Sequence, residues 1–206
     1  MKKILMAAAI AGAFVAAPAS AQWYVGAGVG AGRAKLGSAS ASSGAVTVTT
    51  QGTDDHDTSA KVYGGYQFTP NWGLEVQYAW LGKYDFNISS NVPGVTGRGN
   101  YKAESWGVAA TGTLPLSNNF YLMGKLGAAF NKVDGGNFCA SGPGGTACGN
   151  LGSDRKTDLL AGVGVGYNFN PKLGVRVEYE NFGKMSKDNG GNIKGENWAV
   201  SLKYSF

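Results

Sequence analysis

The chain has 206 residues, 34 of them glycine and 12% of them aromatic, with 18 basic residues against 13 acidic ones. Its formal net charge of +5 is mild and scattered, and Lys2 and Lys3 carry two units of it, which argues against a nucleic-acid partner. Beyond the amino end no segment approaches the roughly 18 consecutive apolar residues of a membrane-spanning helix.

At the amino end Lys2 and Lys3 precede an apolar stretch from Ile4 to Ala17, and Pro18-Ala19-Ser20-Ala21 supplies an A-x-A site. That layout predicts a cleaved secretory signal peptide over 1–21 and a single domain over 22–206. The apolar core is short for a membrane anchor. An exported chain without a spanning helix can still cross a membrane as a closed barrel, because closure satisfies every backbone group within the lipid.

Alternation with a period of two then marks eight amphipathic segments, near 22–35, 58–69, 73–84, 101–114, 119–131, 156–169, 173–183 and 195–206. Each reaches the roughly 9–11 residues that a tilted strand needs to cross a bilayer. The apolar parity gives the outward face: Trp23, Val25, Ala27 and Val29 on the first segment, and Leu74, Val76, Tyr78 and Trp80 on the third. On the fifth it gives Phe120, Leu122, Leu126 and Phe130. On the sixth it gives Leu159, Val163, Val165, Tyr167 and Phe169. Tight turns with proline and asparagine chemistry fall at 70–72, 115–118 and 170–172, and long polar stretches at 36–57, 85–100, 132–155 and 184–194. Short turns on one side and long loops on the other are the outer-membrane pattern, with both termini periplasmic and the long loops extracellular. The fold class expected is therefore all-β, an eight-stranded antiparallel up-and-down transmembrane β-barrel. A soluble barrel of the lipocalin kind would turn its apolar face inward, and the charges on the opposite face favour a polar lumen instead.

The inward parity collects a lumen charge network of Lys61, Lys125, Arg176 and Lys203 against Glu75, Asp158, Glu178 and Glu180. Four charges of each sign are expected to pair, since an isolated charge in a low-dielectric interior is costly. Eight strands leave an interior just wide enough for side chains to fill. Inward glycines such as Gly26, Gly65, Gly127 and Gly166 point the other way, toward a water-filled but constricted lumen. Two readings follow: a structural and surface-interaction protein, or a narrow channel for small ions or solutes.

Catalytic, cofactor-binding and metal residues are not expected. His56, in Asp54-Asp55-His56-Asp57-Thr58, is the only histidine and lies in a solvated loop without an adjacent serine. Gly26-Ala27-Gly28-Val29-Gly30-Ala31 formally fits a dinucleotide fingerprint, but no helix follows it. Loop one is rich in serine and glycine, which suggests a mobile tip, and its run Val46-Thr47-Val48-Thr49-Thr50 could extend the strands above the membrane. Cys139 and Cys148 flank a glycine-rich stretch, and in an exported chain they read as a disulfide clipping a loop. A metal site there would need further ligands, and no histidine or carboxylate lies between the two cysteines.

The final strand alternates Trp198, Val200, Leu202, Tyr204 and Phe206 with polar or small residues and resembles the closing strand of outer-membrane barrels, whose terminal aromatic is part of the assembly signal. Gly64-Gly65-Tyr66-Gln67-Phe68 and the run Gly73 to Gly82 resemble the second and third strands of the OmpA-like transmembrane domain family. Tyr101-Lys102-Ala103, Lys125-Leu126-Gly127 and Val175-Arg176-Val177-Glu178-Tyr179 are similar to its fourth, fifth and seventh strands. The resemblance covers most of 60–206. It implies a monomeric barrel serving envelope integrity and surface interaction, adhesin-like or receptor-like, with at most a narrow gated pore. The sequence ends at Phe206, so the peptidoglycan-binding domain of many relatives is not expected. Glu75 and Arg176 match members of the family's lumen network, while Gly28, Thr111 and Gly166 stand at other matching positions, which implies a thinner network. Expected partners are outer-membrane lipid and lipopolysaccharide, the barrel-assembly machinery with periplasmic chaperones, and a host surface or phage at the loops.

Overall fold

The computed structural model describes residues 22–36, 39–43, 46–52, 56–143, 145–150, 152–186 and 193–206; the segment read as a signal peptide lies outside them. Eleven strands follow in chain order: β1 (Gln22–Leu36), β2 (Ala39–Ser43), β3 (Val46–Gly52), β4 (His56–Gln67), β5 (Trp72–Ser90) and β6 (Thr96–Pro115), then β7 (Phe120–Gly142), β8 (Gly145–Asn150), β9 (Ser153–Asn168), β10 (Leu173–Lys184) and β11 (Ile193–Ser205). Eight of them, β1, β4, β5, β6, β7, β9, β10 and β11, pair in that order and return from β11 to β1, closing an antiparallel barrel. Among the described residues there is no helix.

Closure is completed at the carboxy-terminus. The Phe206 amide donates to the Trp23 carbonyl at 3.0 Å, and Gln22 Nε2 donates to the Phe206 carbonyl at 2.7 Å. Turn chemistry sets the other end of each hairpin. Asn118 and Asn119 take left-handed backbone (φ 58 and 65), which asparagine tolerates, and Asn170 Oδ1 accepts the amides of Lys172 and Leu173.

Outward positions are apolar and exposed throughout a central band, among them Val29, Val62, Val76, Val108, Leu126, Leu159, Val163, Val200 and Leu202. So continuous an apolar surface requires lipid around it. Aromatic pairs bound the band. Trp23–Tyr66 and Phe120–Tyr167 (both 4.8 Å) lie toward the turns, and Tyr78–Trp106 (4.9 Å) and Tyr179–Trp198 (5.0 Å) toward the loops.

The strands run further than the alternation indicates. The stretch 85–100, expected as a loop, is the upper part of the β5–β6 hairpin, with only 91–95 outside the strands. β3 pairs with β5 from Val48↔Ser90 to Gly52↔Phe86, so the Val/Thr run of loop one does extend the sheet. β8 pairs with β7, and the disulfide Cys139–Cys148 joins directly opposed positions of that hairpin. Above the lipid the outward face of a strand is wet, so it loses its apolar side chains while backbone pairing continues.

Two bulges also break the simple parity. The register of β5 against β6 slips between Trp80 and Gly82, where Gly82 has φ +114, a conformation L side chains rarely adopt. Asp57 clamps this bulge, its Oδ2 accepting the Lys83 amide at 2.7 Å. Beyond the slip Tyr84 and Phe86, rather than their odd-numbered neighbours, turn inward. β10 repeats the device: Gly183 has φ +66, and Asp158 Oδ2 accepts the Lys184 amide at 2.8 Å.

Candidate functional site in the lumen

Six of the eight sequence-predicted lumen residues meet at mid-barrel. β4 brings Lys61, β5 Glu75, β7 Lys125, and β10 carries Arg176, Glu178 and Glu180 on successive inward positions. Lys125 Nζ lies 2.7 Å from Glu75, 2.9 Å from Glu178 and 2.9 Å from Glu180. Lys61 Nζ reaches Glu178 at 2.6 Å and Glu180 at 3.0 Å. Arg176 spans Glu75 (3.0 Å) and Glu178 (3.1 Å) with different guanidinium nitrogens. Every carboxylate thus touches at least two cations, and the knot sums to zero charge with its side chains 0–3% exposed. Burial costs several kcal/mol per ion, and mutual pairing of this density is what offsets it.

Neutral groups finish the knot. Tyr24 donates to Glu75 at 3.1 Å and Gln77 accepts from Lys125 at 3.0 Å. The Arg176 guanidinium lies 4.1 Å from the Tyr63 ring centroid, within cation–π range. The glycines expected to leave space for water are instead covered. A Cβ at Gly26 would fall on the Tyr63 ring, one at Gly65 on Tyr24 and one at Gly166 on Tyr121. Tyr24, Tyr63 and Tyr121 carry the same inward parity as the charges, and that parity was the signal that could have found them.

The other two predicted members stand apart. Asp158 has inward parity but sits at the loop-end rim, where its carboxylate accepts the neighbouring Leu159 amide and, at the β10 bulge, the Lys184 amide. Lys203 lies near the turn-end mouth over the rings of Tyr24 (5.5 Å) and Tyr121 (5.3 Å), beside a vestibule of about 360 Å³. The network implied by resemblance was thin; Lys61, Lys125, Glu178 and Glu180 make it dense.

Toward the loops the lumen changes character. Leu81, Tyr84, Phe182 and Met185 are fully buried, with Tyr101 and Ile193 beside them, in one apolar cluster. Tyr84 stacks on Tyr101 at 5.4 Å, and their hydroxyls donate to the carbonyls of Leu81 and Ala34. Asn131 Nδ2 donates to the Phe182 carbonyl at 2.7 Å. The sequence reading missed this plug: the β5 and β10 bulges swing Tyr84 and Met185 inward, where they meet Leu81, Phe182, Tyr101 and Ile193, which keep the plain inward parity of their strands. His56 is exposed and accepts a hydrogen bond from Arg33 Nε at 3.0 Å. Among the described residues no cluster of histidine, cysteine or carboxylate is arranged to hold a metal.

A closed eight-stranded barrel, apolar outside and charged within, defines a transmembrane β-barrel of the outer-membrane kind. The chain belongs to the OmpA-like transmembrane domain family, whose model matches residues 18–206. It is 27% identical over its whole length to outer membrane protein A of Shigella flexneri, of which it covers 56%. The chain thus spans about half the length of the curated relatives it matches. Solved barrels share the fold. OprG of Pseudomonas aeruginosa aligns with a TM-score of 0.56 at 14% identity, over 90% of this chain and 95% of that one. Ail of Yersinia pestis, crystallised with the heparin analogue sucrose octasulfate, gives 0.51 at 19% identity, over 90% of this chain and 99% of that one.

Proposed function

We propose that the protein is a non-conducting outer-membrane scaffold whose loop end, facing outward with the termini periplasmic, serves envelope integrity and surface contact. The double closure of the lumen carries this reading: a neutral ion knot at mid-barrel, and an apolar plug above it. Eight strands leave little room beyond what side chains fill, so passage needs the knot and the plug to open together. The long paired strands above the lipid give surface contact a rigid platform, the usual arrangement for recognition. A host surface or a phage is the class of partner such a platform suits.

The turn-end vestibule favours a second reading, a narrow ion channel with the knot as its gate. Planar-bilayer recording of refolded protein separates the two. Silence from wild type, with folding verified, is the expected result. Reproducible openings that change in a Glu75→Ala/Arg176→Ala variant would establish the channel and overturn the scaffold.

A further inference from the structure

Below the knot the lumen opens at its turn end into the vestibule of about 360 Å³. Pro70, Pro115 and Pro171, one from each tight turn, stand around it, and the strands contribute Lys203, Ser205, Tyr121 and Asn168. Lys203 is the only charged residue of the lining. The knot above already sums to zero, since Lys61, Lys125 and Arg176 meet Glu75, Glu178 and Glu180, so it leaves nothing to balance this lysine. Among the described residues Lys203 makes no ion pair and donates no hydrogen bond. Its Nζ lies instead over the Tyr24 and Tyr121 rings, whose faces attract the charge but supply no oxygen acceptor. A part-buried cation in that position is not neutralised by the protein itself.

Neutral donors surround it. Lys203, Gly174 and Asn168 share one row of the register. Gly174 carries no side chain, and a Cβ there would meet Asn168 Oδ1 at 2.9 Å, so the Asn168 amide group lies over Gly174, next to Lys203. One step deeper, in the row Tyr121↔Gly166↔Arg176↔Ser201, the Tyr121 hydroxyl is buried and has no hydrogen-bond partner. Ser205, two residues beyond Lys203 on the same face, adds a second hydroxyl nearer the mouth. Glu75, which shares Tyr24 with Lys203, is itself held by Lys125 and Arg176. We infer that this vestibule binds a small oxyanion, a carboxylate or a phosphate group, entering from the turn end. An oxyanion meets separated donors with separate oxygens, whereas a halide offers one centre to all of them. The proposed orientation makes the periplasm its source, and the site does not depend on whether the knot opens.

The test is a titration of the refolded protein in detergent micelles, followed through its backbone amide NMR shifts, with sodium phosphate or sodium acetate replacing sodium chloride at constant ionic strength. Saturable shifts are expected around Lys203, Gly174 and Ser205, with the amides of the loop-end plug unmoved. Saturation by phosphate alone identifies a phosphate ligand, by acetate alone a carboxylate ligand, and by both a site open to either; each of these upholds the inference. Lys203→Met should weaken binding by at least about tenfold, the loss for a charge-assisted contact, and Asn168→Ala and Tyr121→Phe by about threefold to fivefold each. Lys172→Met removes an exposed cation on the neighbouring turn, outside the cavity, and should stay within about twofold of wild type. The spectrum itself verifies that each variant is folded. Shifts that rise linearly with both anions, unchanged binding in Lys203→Met, or an equal loss in Lys172→Met would show diffuse attraction and overturn the site. Bilayer conductance reports on the knot alone, so this inference and the scaffold reading fail separately.

Discussion

At mid-barrel six ionised side chains neutralise one another, whereas toward the loops Leu81, Tyr84, Phe182 and Met185 fill the same lumen with almost no charge. The two regions occupy one cylinder and are buried to the same degree, but they constrain sequence differently. In the knot each group is a condition for its neighbours: Lys125 serves three carboxylates, and Arg176 serves two. In the plug a residue contributes volume and apolar area, and its neighbours remain satisfied by their own contacts. The knot therefore specifies side chains, and the plug specifies size.

Removing the most connected member gives the largest effect. Lys125→Met keeps much of the volume but leaves Glu75, Glu178 and Glu180 with fewer cations in a dry interior. It should lower stability by about 3–5 kcal/mol, the range for breaking a buried pair by deleting one partner. Urea unfolding of the refolded barrel, followed by tryptophan fluorescence, measures this. A loss below about 1 kcal/mol would mean the knot is solvated enough to absorb an unpaired charge.

The plug should respond more gently to a comparable trim. Phe182→Leu at a fully buried site changes size modestly and orphans no polar atom, since the Asn131 bond goes to the Phe182 carbonyl. A cost of about 1–1.5 kcal/mol is expected in the same assay. A cost equal to that of Lys125→Met would erase the distinction between the two regions.

How much of this was legible in sequence follows from what alternation can encode. A period of two reports which face a side chain takes, and it identified Lys61, Glu75, Lys125, Arg176, Glu178 and Glu180 before any geometry was known. It does not report height along the barrel. Asp158 and Lys203 share the inward parity, yet one lies at the loop-end rim and the other near the turn-end mouth. The plug was hidden for a separate reason. Gly82 and Gly183 each mark a bulge, so a parity carried straight through puts Tyr84 and Met185 on the wrong side and leaves Leu81 and Phe182, which precede the bulges and do face inward, without their partners. The upper strands escaped because lipid, not the sheet itself, creates the apolar contrast that reveals a strand.

The smallest effect tests whether the hairpins above the lipid are energetically separate from the barrel they crown. The Cys139–Cys148 disulfide ties β7 to β8 across a sequence separation of nine, where closing so short a loop could restrain an unfolded chain by about 2–3 kcal/mol. That stabilisation acts on whichever unit unfolds together with the bridge. β8 pairs with β7 alone, from Asn137↔Asn150 upward and beyond the last β7–β9 pair, Asp134↔Ser153, so it can peel away while β7 stays paired with β6 and the barrel stays closed. Cys139→Ala/Cys148→Ala should therefore move the barrel's unfolding by less than about 0.5 kcal/mol, while protease cleavage between β7 and β8 becomes clearly faster. A shift of the full loop-closure size in barrel unfolding would show instead that the tip and the membrane band unfold as one cooperative unit.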